Sequence, residues 1–589
     1  MPISSPAHAP TTTPSPRKQY WGVFASLTVY LLLAIWLNID ALWHGPSHWI
    51  SGGYGGDGGQ EIWFLHFFSY AVLHGQNPFA TALINVPHGV NVANMTSMPI
   101  IGLAAMPFSA IAGPVFAYNM LMLLGVWSSA VAMFFAVRRM TTRVFSAFTA
   151  GALFGFSPFV IGQSAGHLFL VTVGLFPIIF LLLHEVLVRQ RWSPWLVGGL
   201  LGLVFTLQVG ISPEMLTDAG LLLVAGAVLT LLARPRLLLR RTPYLMRAVG
   251  TIVAVMVIPF GLYLYEYLLG PHHIHGAVRP ASFVAALSST VATFIVPGSN
   301  QWLNLGLAHW LDQSVYYGVN HHQLDPVENG SYLGLPLVGV IGWAVWRLRR
   351  RGLVQLLTLL LVISAVFSLG AQLRFHVGTT GLYLPFAALV KLPLFNSTLA
   401  IRWALFTAFF GALLVALLLD DLPLHRTNRL SAVTLAVVSM VFLAPPRAIP
   451  AAPLAVPAWF TSPAVATLAP QSALLTYPMA MNGYPEPMMW QAVADFHFSL
   501  VGGEAGSQTV HLGVTNAALA QCQTTNQYSS VWLWQIKNEF IAWHLRTIVV
   551  PNGFAANESC AVGLFTAATG RAPVYEYDAW VWHDLPTGQ

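Results

Sequence analysis

From about residue 20 to residue 446 the chain alternates long apolar runs with short polar stretches. A helix needs about 20 mainly apolar residues to cross the hydrocarbon of a bilayer. Such runs fall near 20–39, 116–137, 144–161, 168–188, 194–211, 213–233, 246–266, 331–346, 352–373, 400–419 and 430–446. The pattern predicts an all-α polytopic membrane bundle of about 11 transmembrane helices. The apolar run 98–112 breaks the alternation of sides if it is counted as a crossing, so it and 60–74 read as juxtamembrane helices in the outer interface.

Positive charge sets the orientation. With a cytoplasmic N-terminus, the clusters Arg17/Lys18, Arg138/Arg139/Arg143, Arg189/Arg191, Arg234/Arg236/Arg240/Arg241/Arg247, Arg347/Arg349/Arg350/Arg351 and Arg426/Arg429 all fall inside. Before residue 447 the outside then holds only Arg279, Arg374, Lys391 and Arg402, as the positive-inside rule expects. Long outer loops result at 40–113 and 267–330. A Pro/Ala-rich linker near 445–470 leads into an extracytoplasmic C-terminal domain, 447–589, whose mixed strand and helix patterns predict a small α/β unit.

Composition agrees with a membrane protein. Hydrophobic residues make up 56% of the 589 and charged residues 8%, against about 25% charge in soluble domains; mean hydropathy is +0.65. The formal charge of +6 comes from clusters between apolar runs, which argues against a nucleic-acid partner. Residues 1–19 read as a disordered cytoplasmic tail, with no apolar core or cleavage site of a signal peptide. The two cysteines, Cys522 and Cys560, both lie in the C-terminal domain. Either they form a disulfide in an oxidising compartment or they are two buried thiols.

Acidic residues are scarce, and an acid near the hydrocarbon costs about 2.5–3.5 kcal/mol at a helix centre. The densest polar feature is Ser51-Gly-Gly-Tyr-Gly-Gly-Asp57-Gly-Gly-Gln60-Glu61-Ile-Trp63, in the first outer loop just before a helix-like stretch. Flanking glycines let the backbone bend close to a ligand while Asp57 projects. Asp57 has two readings here: an N-cap of the following helix, or a general base. Gln60 and Glu61 follow on its side of the helix.

This arrangement resembles the GT-C superfamily of integral membrane glycosyltransferases: one span, a long outer loop with an acid and juxtamembrane helices, then the rest of the bundle. The likeness also rests on Gly56-Asp57…Gln60…Trp63, Asn85-Val-Pro-His-Gly-Val-Asn91, Gly113-Pro-Val-Phe-Ala-Tyr-Asn119 and Phe156-Ser-Pro158 with Gly166-His167. It implies a polyprenyl-phosphate-linked sugar as donor, a glycan or lipid acceptor in the envelope, and residence in a bacterial plasma membrane. It also implies transfer with inversion, with the loop carboxylate, by position Asp57, as base. The family's commoner pattern pairs two acids side by side; here glycines flank Asp57, and Glu61 is the second candidate.

A leaving phosphate calls for a cation, and an arginine fork binds its oxygens in pairs. Arg402 is the first choice and Arg374 the second, with interfacial snorkelling as the other reading of Arg402. His167, Glu214, Tyr316, His321, His322, Glu328 and Gln60 are candidate cavity residues. For Glu214 the alternative is a first-turn acid at a helix start, and for His167 a hydrogen-bonded interface residue. His272, His273 and His275 with Asp325 and Glu328 supply metal-ligand chemistry, but no zinc-type spacing, so the expectation is that no cofactor is required and a divalent metal is the less favoured reading. Two rival readings keep the spans: a secondary transporter, disfavoured because the halves do not repeat, and a GT-C-like scaffold that handles glycolipid without catalysis.

Overall fold

The computed structural model describes residues 16–586 except 54–56, 96, 234, 275–278, 280–282, 285–286, 305, 308–309, 312–325, 377, 393–394, 424–425, 482–483 and 505–512. Each predicted apolar segment coincides with helix, but the lengths differ from eleven full spans. Six helices among the described residues are long and apolar enough to cross a membrane: Gln19–Leu37, Pro99–Arg138, Leu168–Arg189, Pro213–Ala233, Arg241–Leu269 and Ala400–Asp421. Five shorter apolar helices occupy the other positions: Val144–Gly155, Pro194–Val209, Gly334–Leu348, Gly352–Ser368 and Arg429–Leu443. Local breakers shorten them. The predicted 144–161 span stops at Phe156 because Pro158 disfavours helix in the residue before it; Ser157 then caps a fresh turn, its hydroxyl accepting from the Val160 N–H.

The expected 98–112 helix and 116–137 span run end to end as Pro99–Arg138, broken at Ala112 and Gly113. Gly113 takes φ 87°, a conformation that glycine adopts without strain. Pro114, which follows it, has no N–H to continue the ladder.

The second expected juxtamembrane helix is packed within the protein. Gly58–Leu73 is enclosed, with Ile62, Trp63, Leu65 and Ala71 fully buried. One side packs on Pro99–Arg138, where Gly102 lies so close that an added Cβ would meet Phe68 Cβ at 2.9 Å. The other side meets the C-terminal helix Glu486–Val493. There the Trp63 indole donates to Gln491 Oε1 at 2.7 Å, and the Gln491 amide donates to the Leu83 and Phe498 carbonyls, each at 2.7 Å.

Nine short strands among the described residues complete the fold: β1 (Trp49–Ser51), β2 (Ala80–Thr81), β3 (Val90–Asn91), β4 (Ala451–Pro453), β5 (Ala473–Thr476), β6 (Ser499–Leu500), β7 (Leu545–Pro551), β8 (Val574–Glu576) and β9 (Ala579–Trp582). β1 pairs antiparallel with β4, tying the segment before Asp57 to the start of the C-terminal segment. The last five strands form a mixed sheet in the order β6-β5-β7-β9-β8. Helices Gly513–Thr525, Leu533–Ala542 and Glu558–Thr569 close a second core on it around Leu475, Ile548, Phe540 and Phe565. Cys522 and Cys560 are joined as a disulfide between the first and third of these helices.

Charge separates along the bundle axis. At one end of the buried helix Ala404–Asp421, Asp421 receives Arg347 at 2.9 Å and also Arg351, while Asp420 accepts the backbone N–H groups of Thr142 and Arg143 at 3.0 Å. At the other end stands Arg402. Nineteen rises of 1.5 Å put roughly 28 Å between the two ends, close to the thickness of a hydrocarbon core of about 30 Å.

Replacing Gln491 with Leu leaves the Trp63 indole and the Phe498 carbonyl without that partner, while the Leu83 carbonyl keeps the Leu500 N–H, at about 1–3 kcal/mol for each buried group orphaned. The expected outcome is a clearly lower melting temperature in detergent; an unchanged melt counts against Gln491 as the tie between the two parts.

Candidate active site

The loop that carries Asp57 is shaped by neighbours on both sides. Asn119 donates to the Pro46 and Trp49 carbonyls at 2.7 and 2.6 Å and accepts the Ser51 N–H at 3.0 Å. Gly52, at φ 89°, lies against Ala165, and an added Cβ would meet that residue's carbonyl at 2.5 Å. The glycine therefore brings the loop against the 163–167 segment of its own chain.

Asp57 occupies the N-cap position of Gly58–Leu73, yet its side chain makes no capping bond. It pairs instead with His167, Nε2 to Oδ2 at 3.3 Å, with the carboxylate side chain 45% exposed and the imidazole 7%. Glu61 grips the next residue: both its oxygens accept the Leu168 N–H, at 3.1 and 2.8 Å. Two acids four residues apart on the helix thus hold His167 and Leu168 between them. Glu61 is buried and committed, which leaves Asp57 as the accessible carboxylate.

Behind His167 lies a second pair. Arg402 Nη2 donates to Glu328 Oε1 at 2.8 Å and Nη1 donates to Oε2, with both side chains almost fully buried. Gln163 adds its amide to Glu328 Oε2 at 3.2 Å. This burial removes the snorkelling reading of Arg402. A third pair closes the group: Arg279 Nη1 reaches Glu214 Oε2 at 3.4 Å and the Ser397 carbonyl at 3.2 Å, while Glu214 Oε1 accepts the Leu399 N–H at 2.8 Å. The fully buried Tyr118 hydroxyl has no hydrogen-bond partner among the described residues; an added Cβ on Gly58 would lie 3.4 Å from it.

Burial pushes the Asp57 carboxyl up, but the hydrogen bond and charge of His167, with Arg279 and Arg402 nearby, outweigh it and hold the group below its ordinary range. For His167 burial works against charge, and the bond to Asp57 overcomes it and raises the imidazole to about 9. Burial dominates at Glu61, pushed up to about 8. Glu328 is held low by Arg402 and His167 despite its burial. At neutral pH the group reads as alternating charge: Asp57 minus, His167 plus, Glu328 minus, Arg402 plus.

Asp57, Glu61, His167, Glu214, Glu328 and Arg402 are therefore brought together. Gln60 is not: its amide donates to the Glu504 carbonyl at 3.0 Å, turned toward the C-terminal segment. Arg374 donates to the carbonyl and hydroxyl of Ser288 at 2.9 and 2.6 Å, bracing a loop. Tyr316, His321 and His322 lie outside the described residues. Among the described residues no three His, Cys, Asp or Glu side chains form a metal-binding group. Gln163 and Arg279 join the group without having been candidates of choice. A lone arginine in a polar outer loop was the available signal for Arg279; for Gln163 there was none.

Residues 26–441 match the family described as domain of unknown function DUF6311. The chain belongs to that family. No curated protein matches it. Among solved structures, the arabinofuranosyltransferase AftD from Mycobacteria is similar over 96% of this chain and 40% of that one, with TM-score 0.55 and 14% identity. This chain thus spans about two fifths of that protein's length. The Archaeoglobus fulgidus oligosaccharyltransferase gives 0.48 at 14% identity, covering 95% and 72% of the two chains. ArnT from Cupriavidus metallidurans, bound to undecaprenyl phosphate, gives 0.45 at 13%, covering 96% and 98%. Only the first of these three scores is high enough to speak for a shared fold, and at such identity it speaks for the fold alone. The protein is an integral membrane protein with a fold similar to that of AftD.

A histidine raised to about 9 stabilises the fold fully below its ordinary pKa of about 6.5 and loses that contribution as pH rises through 9. Asp57, held low, stabilises above its ordinary range and loses that only in stronger acid. The melting-temperature gap between the wild type and His167→Gln is therefore expected to be widest near pH 5–6.5 and to close toward pH 9–10. A gap independent of pH contradicts the charged pair.

Proposed function

We propose that the protein is a membrane glycosyltransferase that moves a sugar from a polyprenyl-phosphate donor to a glycan or lipid acceptor of the cell envelope. The active site stands on the outer face of a bacterial plasma membrane, the N-terminus inside and the C-terminal segment outside. One observation carries this reading: Asp57 sits at a helix cap without capping, half-exposed, held by His167 beside Arg279 and Arg402. A carboxylate so placed is free to act on something other than its own chain. The orientation rests on the basic clusters, and an outer site cannot draw on cytosolic nucleotide sugars, so a donor anchored in the bilayer fits. The shared fold with a membrane glycosyltransferase agrees with it.

In this mechanism the acceptor hydroxyl hydrogen-bonds to the free face of Asp57. Its oxygen attacks the anomeric carbon as the carbon–oxygen bond to the lipid phosphate breaks, and the phosphate leaves with that electron pair. The acceptor proton passes to Asp57, and the configuration inverts. The low pKa of Asp57 keeps it ionised and ready, and the transfer comes late, once the attacking hydroxyl has become acidic. Arg279, the more exposed of the two arginines, meets the leaving phosphate first, and the positive field of Arg402 lies behind it. His167 stays charged throughout and fixes the carboxylate's direction. Glu61 positions His167 through Leu168.

Purified protein given a panel of polyprenyl-phosphate sugars is expected to transfer one of them, and Asp57→Asn to lower turnover by about 10²–10⁴-fold with the fold intact. Equal transfer by the variant removes Asp57 as base; transfer of no sugar by the folded wild type removes the enzymatic reading.

A further inference from the structure

Arg402 is the more deeply buried arginine of the site, and its fork is already taken. Glu328 meets it oxygen for nitrogen, Nη2 to Oε1 at 2.8 Å and Nη1 to Oε2. A carboxylate and a phosphate offer a guanidinium the same pair of oxygens. Glu328 therefore fills the place a phosphate would occupy, and the two cannot share it.

Resting on the donor reading above, we propose that Glu328 is an internal stand-in for the donor's phosphate: a polyprenyl-phosphate headgroup displaces it from Arg402, and the released carboxylate is taken up by Gln163 and His167. Three features of the site favour the exchange. Glu328 already has a second set of partners, since Gln163 donates to the same Oε2 at 3.2 Å and the charge of His167 acts on it. Arg402 keeps its Nε without a hydrogen-bond partner among the described residues, so an incoming phosphate gains a donor that the carboxylate leaves unused. Arg402 is also never left without an anion: Glu328 neutralises it before the exchange and the phosphate afterwards, while Glu328 joins Asp57 beside the imidazolium and the group gains the negative charge of the phosphate.

The exchange makes the site selective. A small free anion must compete with a tethered carboxylate whose effective concentration is high. A lipid phosphate brings the added free energy of its tail, about 0.8 kcal/mol for each buried CH₂, so the anchored form displaces Glu328 where the free anion does not.

The test is binding of undecaprenyl phosphate, with inorganic phosphate as a second arm, to the full chain in nanodiscs, followed by melting temperature and tryptophan fluorescence. Glu328→Gln keeps the shape and removes the competing charge. It is expected to bind undecaprenyl phosphate at least 10-fold more tightly than the wild type and to gain a millimolar response to inorganic phosphate. Adding Arg402→Met is expected to abolish both gains. If Glu328→Gln proves poorly folded, Glu328→Asp, which draws the carboxylate back by one methylene, is expected to show a smaller gain in the same direction. Equal or weaker binding by folded Glu328 variants, with the wild type binding the lipid, overturns the exchange and leaves the donor reading standing. So does a gain that survives loss of Arg402. Response to inorganic phosphate alone overturns the lipid as its source, and folded proteins none of which binds either probe overturn the donor reading together with the exchange.

Discussion

A guanidinium at the head of an apolar helix has to be neutralised, and the site is organised around that requirement. Arg402 opens the buried helix Ala404–Asp421 and is met by Glu328. Removing one partner of such a pair typically costs about 3–5 kcal/mol, so the turn Pro326–Glu328 is held against the bundle. Glu328 in turn fixes Gln163 and lies within the field of His167. His167 then holds the one carboxylate of the group that faces solvent. The direction of Asp57 is set from the Arg402 end of the buried helix outward, by alternating charges, rather than by its own glycine-rich loop.

Neighbouring segments hold the described residues of that loop. Its fixed points are Asn119, which gathers the 46–51 backbone, the close approach of Gly52 to Ala165, and the first turn of Gly58–Leu73. That helix is enclosed between the bundle and the C-terminal segment, so its first turn has little freedom to tilt. Rigid elements hold the accessible carboxylate while the face it presents stays open, the combination a reaction site requires.

Hydropathy made the bundle legible: the apolar segments all fall on helices, because a run of apolar residues in lipid has few other solutions. The gap between eleven predicted spans and six long helices comes from local chemistry such as Ser157-Pro158, which a window of hydropathy averages away. Asp57 was legible from glycines and position, but its partner was not, since pairing with His167 depends on how distant segments cross. Arg402 was read as a phosphate cation without its carboxylate, for the same reason. Gln60 was placed in the cavity by helical spacing, which cannot foresee a C-terminal carbonyl arriving on the other side. The disulfide was one of two readings until the helices bearing Cys522 and Cys560 were seen to meet.

The family match ends at residue 441, yet Gln491 and Glu504, beyond that limit, hold the helix whose first residues follow Asp57. Shortening the chain to its matched portion would strip the packing from one side of that helix and bare an indole and an aromatic face to solvent. Chimeras that graft a foreign tail onto this bundle would inherit a re-aimed carboxylate, so the tail is a working part of the scaffold that positions Asp57 and not an appendage.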